Sequence, residues 1–136
     1  MSESIEFPLR HKLTPFGRVS DPSIPVVVHT SAGDRTYYFL LDTGADFSVA
    51  PRRLAHQLGL EWAVLPMARV VGVEQGGVQA RLGMLPIRLE RLELTVRCLF
   101  VDAPRVPFIL GRADVLDRFI LTINPVQQRI VLTALP

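Results

Sequence analysis

Apolar and polar residues alternate with a period of two over much of the chain, most clearly in the run Leu92 to Phe100. There Leu92, Leu94, Val96, Cys98 and Phe100 fall on one face, and Glu93, Thr95 and Arg97 on the other. Successive side chains of a strand point to opposite faces, so this is the signature of a half-buried strand. Similar segments are Ile5 to Leu13, Ile24 to Thr30, Arg35 to Leu41, Arg69 to Val73, Val78 to Leu89, and the pair Phe119 to Ile123 and Arg129 to Thr133. Turn residues separate them. Ser31-Ala32-Gly33-Asp34 and Gly76-Gly77 each join two such runs, and Asn124-Pro125-Val126-Gln127-Gln128 closes the last hairpin.

Two short stretches have helical character. Pro51 to Leu58 opens on proline at a first-turn position, spaces Leu54 and Leu58 four apart and stops at Gly59. Ala113 to Arg118 places Asp114 near its start and Arg118 at its end, which suits the helix dipole. With no internal repeat or linker, the pattern predicts a single, mainly β domain over residues 1–136, closing as a small barrel or sandwich with one or two short helices.

Composition narrows the function classes. Hydrophobic residues make up 49% of the 136 and charged residues 21%, which excludes a disordered chain. Of the 15 basic residues only Lys12 is a lysine, the net charge is +2, and no basic run exceeds Arg52-Arg53, so nucleic-acid binding is not expected. The single Cys98 excludes an internal disulfide framework and a cysteine-rich zinc site, and its place on an apolar strand face predicts a buried thiol. His11, His29 and His56 lack ligand spacing, which predicts surface or partly packed histidines and no metal. Trp62 is read as core packing, and neither Ser31 nor Ser48 has the local motif of an activated nucleophile. The first residues lack a signal-peptide pattern and no apolar run is long enough to cross a bilayer. The expectation is a soluble, cytoplasmic protein or the soluble domain of a longer one.

The informative segment is Phe39-Leu40-Leu41-Asp42-Thr43-Gly44-Ala45-Asp46-Phe47-Ser48-Val49. A carboxylate directly after an apolar strand, followed by a small hydroxyl residue and a glycine, is either an ordinary polar turn or a site. The string LLDTGADFSV resembles the active-site signature of the retroviral-type aspartic proteases, the retropepsins. Phe108-Ile109-Leu110-Gly111-Arg112 resembles the apolar-apolar-Gly-Arg motif that supports it, and the likeness runs in order from about Ile24 to Ile123. It implies a closed β-barrel of the acid-protease fold in a non-viral member of the family, needing no cofactor.

The resemblance implies roles residue by residue. Asp42 is the catalytic carboxylate, Thr43 bonds the partner's loop across a two-fold axis, and Gly44 and Ala45 keep the groove floor low. Asp46 meets substrate or the guanidinium of Arg112, in a partly buried pair, while Leu110 and Gly111 pack beneath the loop. Residues 70–80 correspond to the flap, with Gly72, Val73, Glu74, Gln75, Gly76 and Gly77 over the substrate and a more polar tip than in the viral enzymes. Residues 1–23 form an amino-terminal arm or strand and 119–133 a carboxy-terminal hairpin. Ala113 departs from the family, which often carries a polar residue there. Aspartic proteases share one proton between two carboxylates about 3 Å apart, and this chain has one such motif, so the enzyme is expected to be a homodimer cleaving peptides. The other reading is a noncatalytic barrel that serves as a dimerisation or peptide-binding module.

Overall fold

The computed structural model describes residues 3–68 and 78–136. Twelve strands follow in order: β1 Ser4–Pro8, β2 Arg10–Thr14, β3 Gly17–Asp21, β4 Ser23–Thr30, β5 Gly33–Leu41, β6 Ser48–Pro51, β7 Met67–Ala68, β8 Gln79–Leu89, β9 Leu92–Asp102, β10 Ile109–Leu110, β11 Phe119–Asn124 and β12 Arg129–Ala134. One short helix, α1 Arg52–Gln57, and two 3-10 turns, Trp62–Val64 and Leu116–Arg118, complete the described chain.

A seven-stranded sheet runs in the order β4-β5-β10-β6-β9-β8-β7, and β4 also pairs with β8 through Val27↔Arg88 and Val28↔Ile87. That second pairing closes six of the strands into a barrel. The alternation read in β9 holds: Leu94, Val96, Cys98 and Phe100 are buried, whereas Glu93, Thr95 and Arg97 are exposed. Ile24, Val26 and Val28 of β4 and Leu85, Ile87 and Leu89 of β8 point into the same interior. Fully burying each such side chain stabilises the fold by about 1.5–3 kcal/mol relative to leaving it in water. The chain ends form a separate sheet, β1-β12-β11, which adds Ile5, Phe7, Ile130 and Leu132 to that core.

Three local expectations change. The strand expected over Ile5 to Leu13 breaks at Leu9, which is buried and donates its N–H to the Gln128 carbonyl at 3.0 Å. Arg10 to Asp21 then forms a β2–β3 hairpin of its own. Pro51 ends β6 and caps α1 from extended backbone instead of opening the helix. The stretch Ala113 to Arg118 contains only a 3-10 turn, because Asp114 takes a φ of 67° and interrupts the right-handed path. Arg69 to Val73 and Gly76-Gly77 lie outside the described residues.

His29 is pinned between two strands. Its Nδ1 lies 2.7 Å from Asp34 and its Nε2 2.7 Å from Glu93 on β9, with Arg88 3.6 Å from Asp34. The hydrogen bond to Asp34, then that to Glu93, holds the imidazole pKa above its ordinary value, and the bond from His29 holds Asp34 below the usual carboxylate range. A raised histidine pKa gives a contribution that is complete below the unfolded value of about 6.5 and lost as pH rises through the folded one. The Asp34 contribution is present above the unfolded value of about 3.9 and fades as pH falls through its lower folded value. Thermal melting of wild type and His29→Gln should therefore differ more at pH 5 than at pH 9; a difference independent of pH would show that the cation is not what the cluster holds. The effect should be modest, since all three side chains are partly exposed.

Candidate active site

β5 delivers Asp42 at its carboxyl end, one residue beyond the buried Leu41. Register is fixed on both sides of that point. The Leu41 N–H donates to the Pro22 carbonyl at 2.9 Å, and the Asp42 N–H to the Leu110 carbonyl at 3.0 Å. Beyond Asp42 the chain turns sharply: Ala45 N–H bonds back to the Asp42 carbonyl at 3.2 Å, and Gly44 N–H donates to Asp42 Oδ1 at 2.9 Å. The half-buried carboxylate is thus oriented by its own turn, while Thr43 and Gly44 are exposed beside it. A Cβ on Gly44 would stand 3.2 Å from Asp42 Oδ1, a tight but side-chain contact.

The second motif lies under this loop, as β10 pairs in parallel with β5 through Ile109↔Leu40 and Leu110↔Leu41. From there the two segments bond repeatedly. Arg112 N–H donates to the Ala45 carbonyl and Ala113 N–H to the Asp46 carbonyl, both at 2.9 Å. Gly111 N–H donates to Ser48 Oγ at 3.2 Å, and Ser48 is completely buried. Gly111 passes so close that a Cβ would lie 2.4 Å from the Phe47 carbonyl oxygen and 2.8 Å from that of Ala45. Only glycine fits there.

Arg112 donates from Nη1 to the Thr43 carbonyl at 2.7 Å and from Nη2 to Asp46 Oδ1. The expected pair is therefore formed, but its side chains are 41% and 76% exposed. Of the two readings of Arg112, a partly buried pair with Asp46 or a solvated arginine, the chain shows a pair open to solvent, and an ion pair this exposed is worth at most about 1 kcal/mol. Asp42, Thr43, Gly44, Ala45, Asp46, Leu110, Gly111 and Arg112 all meet at this one junction. Gly72, Val73, Glu74, Gln75, Gly76 and Gly77 lie outside the described residues, and of the expected 70–80 hairpin the described part includes Gln79 and Ala80 at the start of β8.

Sequence reasoning missed three participants. Ser48 lies six residues after Asp42, inside the LLDTGADFSV string, and the signal of its structural role was a small hydroxyl residue between two apolar ones. Arg97 and Asp114 form a pair beside the loop: Asp114 Oδ2 accepts the Arg97 backbone N–H at 2.9 Å and its Nε at 2.8 Å, and Oδ1 accepts Nη2 at 3.2 Å. These bonds, side-chain first and backbone second, hold the Asp114 pKa below the usual carboxylate range. Elsewhere Cys98 is buried, which pushes its thiol pKa up and leaves it un-ionised at neutral pH. Trp62 packs in the core with the Arg52 guanidinium over its ring. A hollow of about 170 Å³ between the terminal sheet and the start of β9, lined by Glu3, Ile5, Arg91, Leu92, Phe119 and Ala134, shares no residue with this junction.

The family model described as aspartyl protease matches residues 24–113, a span that contains both motifs. No curated protein sequence matches the chain. Among solved structures, the retropepsin-like aspartic protease from Rickettsia conorii is similar with a TM-score of 0.65 at 17% identity, over 98% of this chain and 94% of that one. The retroviral protease-like domain of Ddi1 from Leishmania major gives a TM-score of 0.60 at 20% identity, over 87% and 96%. The EIAV protease complexed with the inhibitor HBY-793 gives 0.53 at 27% identity, over 71% and 86%. The first two likenesses establish a shared fold.

Proposed function

Since this chain belongs to the aspartyl protease family, with a retropepsin-like fold, we propose that it is an aspartic endopeptidase that works as a symmetric homodimer. The observation that carries the reading is the Asp42 carboxylate, oriented by Gly44 N–H at the exposed end of β5 and braced from below by Leu110, Gly111 and Arg112. A second carboxylate is required, since one must accept a proton from water while the other, protonated, polarises the scissile carbonyl. The two-fold partner supplies it as its own copy of the same residue.

In the pair, one carboxylate acts as general base on a water lying between the two. The water oxygen bonds to the carbonyl carbon, the carbonyl π pair moves to oxygen, and the protonated partner carboxyl donates to that oxygen. The gem-diol then collapses: the carboxylate that gave up its proton takes one from a gem-diol hydroxyl as C=O re-forms, and the C–N bond breaks as nitrogen receives a proton from the other carboxyl. No covalent bond to the enzyme forms. Thr43 fixes the separation of the carboxylates by bonding the partner's loop, Gly44 and Ala45 leave room for an extended peptide, and Asp46 meets its backbone amides. In this reading residues 70–80 serve as the flap, with Gly72, Val73, Glu74, Gln75, Gly76 and Gly77 over the substrate. Substrates are extended peptides with apolar residues at the scissile bond, met in a cytoplasmic setting.

Dilution and subunit mixing test the shared site. Specific activity on a diverse peptide library should fall on dilution through the dimer dissociation constant. Excess Asp42→Asn chains should capture wild-type chains in pairs with one acid and one amide, and total activity should drop well below the sum of the parts. Activity that survives both dilution to a demonstrated monomer and the excess of variant would eliminate the two-chain mechanism.

A further inference from the structure

We propose that Arg97 and Asp114 are positioning residues that clamp the turn carrying Arg112 onto the start of β6, so that the Arg112 guanidinium is held against the Thr43 carbonyl and the Asp46 carboxylate. The inference rests on the aspartic peptidase reading and adds to it two residues outside both motifs. Asp114 lies two residues beyond Arg112, and its positive φ is a conformation that residues with a Cβ adopt at a cost. Three hydrogen bonds to one partner residue accompany that conformation: the Arg97 backbone N–H and Nε reach Oδ2, and Nη2 reaches Oδ1. A fork-shaped guanidinium on a carboxylate fixes orientation as well as distance.

The location of the pair gives it this role. Arg97 precedes Cys98, the residue at which β9 begins to pair with β6 through Ser48. Its guanidinium also lies over the Phe47 ring, 5.4 Å from the centroid. Phe47 is the residue whose carbonyl abuts Gly111, so one arginine touches both sides of the junction, the residue just before β6 through Phe47 and the Arg112 turn through Asp114. Asp114 is the more enclosed member, with its side chain 25% exposed against 47% for Arg97. The turn itself is compact, since Asp117 N–H donates to the Arg112 carbonyl at 2.9 Å and Leu116 N–H to that of Gly111 at 3.2 Å. Displacing Asp114 would therefore carry Arg112 with it.

The test compares Asp114→Asn and Arg97→Met in the full chain, each in the wild-type and the Arg112→Ala background. Asparagine tolerates positive φ, so Asp114→Asn removes the charge with little backbone cost. Each variant should lower kcat by about fivefold or more with KM nearly unchanged, and the same change in the Arg112→Ala background should cost less than about twofold, as expected for residues acting through one another. Equal losses in both backgrounds, or none, would overturn the clamp. Amide hydrogen exchange gives an answer that does not depend on activity. In Asp114→Asn the amides of Gly44 and Ala45 should exchange faster, while those of β1 and β12 stay as in wild type; uniform acceleration, or no change, would refute the positioning role. If the wild-type chain hydrolyses no peptide, the peptidase reading fails by itself and the exchange pattern alone decides the clamp.

Discussion

Asp42→Asn is expected to abolish peptide hydrolysis while the protein stays folded and dimeric. Asparagine is nearly the same size as aspartate and keeps a carbonyl oxygen for the Gly44 N–H, so the turn at the end of β5 survives. The backbone bond from Asp42 to Leu110 is untouched. An amide neither takes a proton from water nor holds one to share, and loss of general acid–base chemistry alone costs roughly 10²–10⁴-fold. With two amides on the axis both roles vanish together, so activity should fall below detection. Melting should be unchanged or higher, because the like charges of the pair are gone. Mass-spectrometric mapping of cuts in a peptide library is the measurement, with the variant purified in parallel. Cleavage at wild-type positions by a clean Asp42→Asn preparation would place the chemistry elsewhere.

Gly111→Ala should be among the most destabilising single substitutions in the chain. The new methyl would meet the Phe47 carbonyl oxygen at 2.4 Å, its carbon at 2.5 Å and the Ala45 carbonyl oxygen at 2.8 Å. These are backbone atoms, so no rotamer change relieves the clash. The segment is also tied by Arg112 and Ala113 to Ala45 and Asp46, and moving it breaks those bonds. Overpacking commonly costs about 1–3 kcal/mol, and a backbone collision belongs at or beyond the upper end. In a domain of this size that lowers the melting temperature by about 10 °C or more. Gly44→Ala is the matched comparison: its methyl meets one side-chain oxygen at 3.2 Å, so melting should change little even as the methyl crowds the carboxylate. Equal melting of both variants would contradict the close approach of the two motifs.

Four of the six barrel strands, β4, β5, β8 and β9, were legible because they are long enough to show burial on one face, whereas β6 and β10, four and two residues long, are too short to carry a period. Leu94, Val96 and Cys98 alternate with Glu93, Thr95 and Arg97, as they must when only one face is buried, and in β4 the buried Ile24, Val26 and Val28 alternate with half-buried residues. The arm before β4 was less legible. His11, Lys12, Leu13 and Val19 read as a continuation of an apolar strand or as a loop, because β2 and β3 bury almost nothing and so carry no burial pattern. Asp114 misled for a related reason. An acid ahead of an apolar run has the local signature of a helix start, yet its carboxylate is held by Arg97, a residue 17 positions earlier that local patterning does not connect to it.

The sequence by itself placed Asp42, Thr43 and Gly44 directly after an apolar strand, a local arrangement of neighbouring residues, and their resemblance to a family signature made them the candidate site. The resemblance of Phe108 to Arg112 to the family's second motif implied that Gly111 and Arg112 belong with them. Only the tertiary structure decided how the two motifs meet: that β10 lies parallel to β5, that Ser48 receives the Gly111 N–H, and that the Arg112–Asp46 pair is exposed to solvent. Those facts depend on contacts between residues some 60 to 70 positions apart. Their geometry follows from closure of the barrel, in which β4 pairs with β8 and fixes where every strand end falls, and no local pattern of hydrophobic and polar residues encodes that distance.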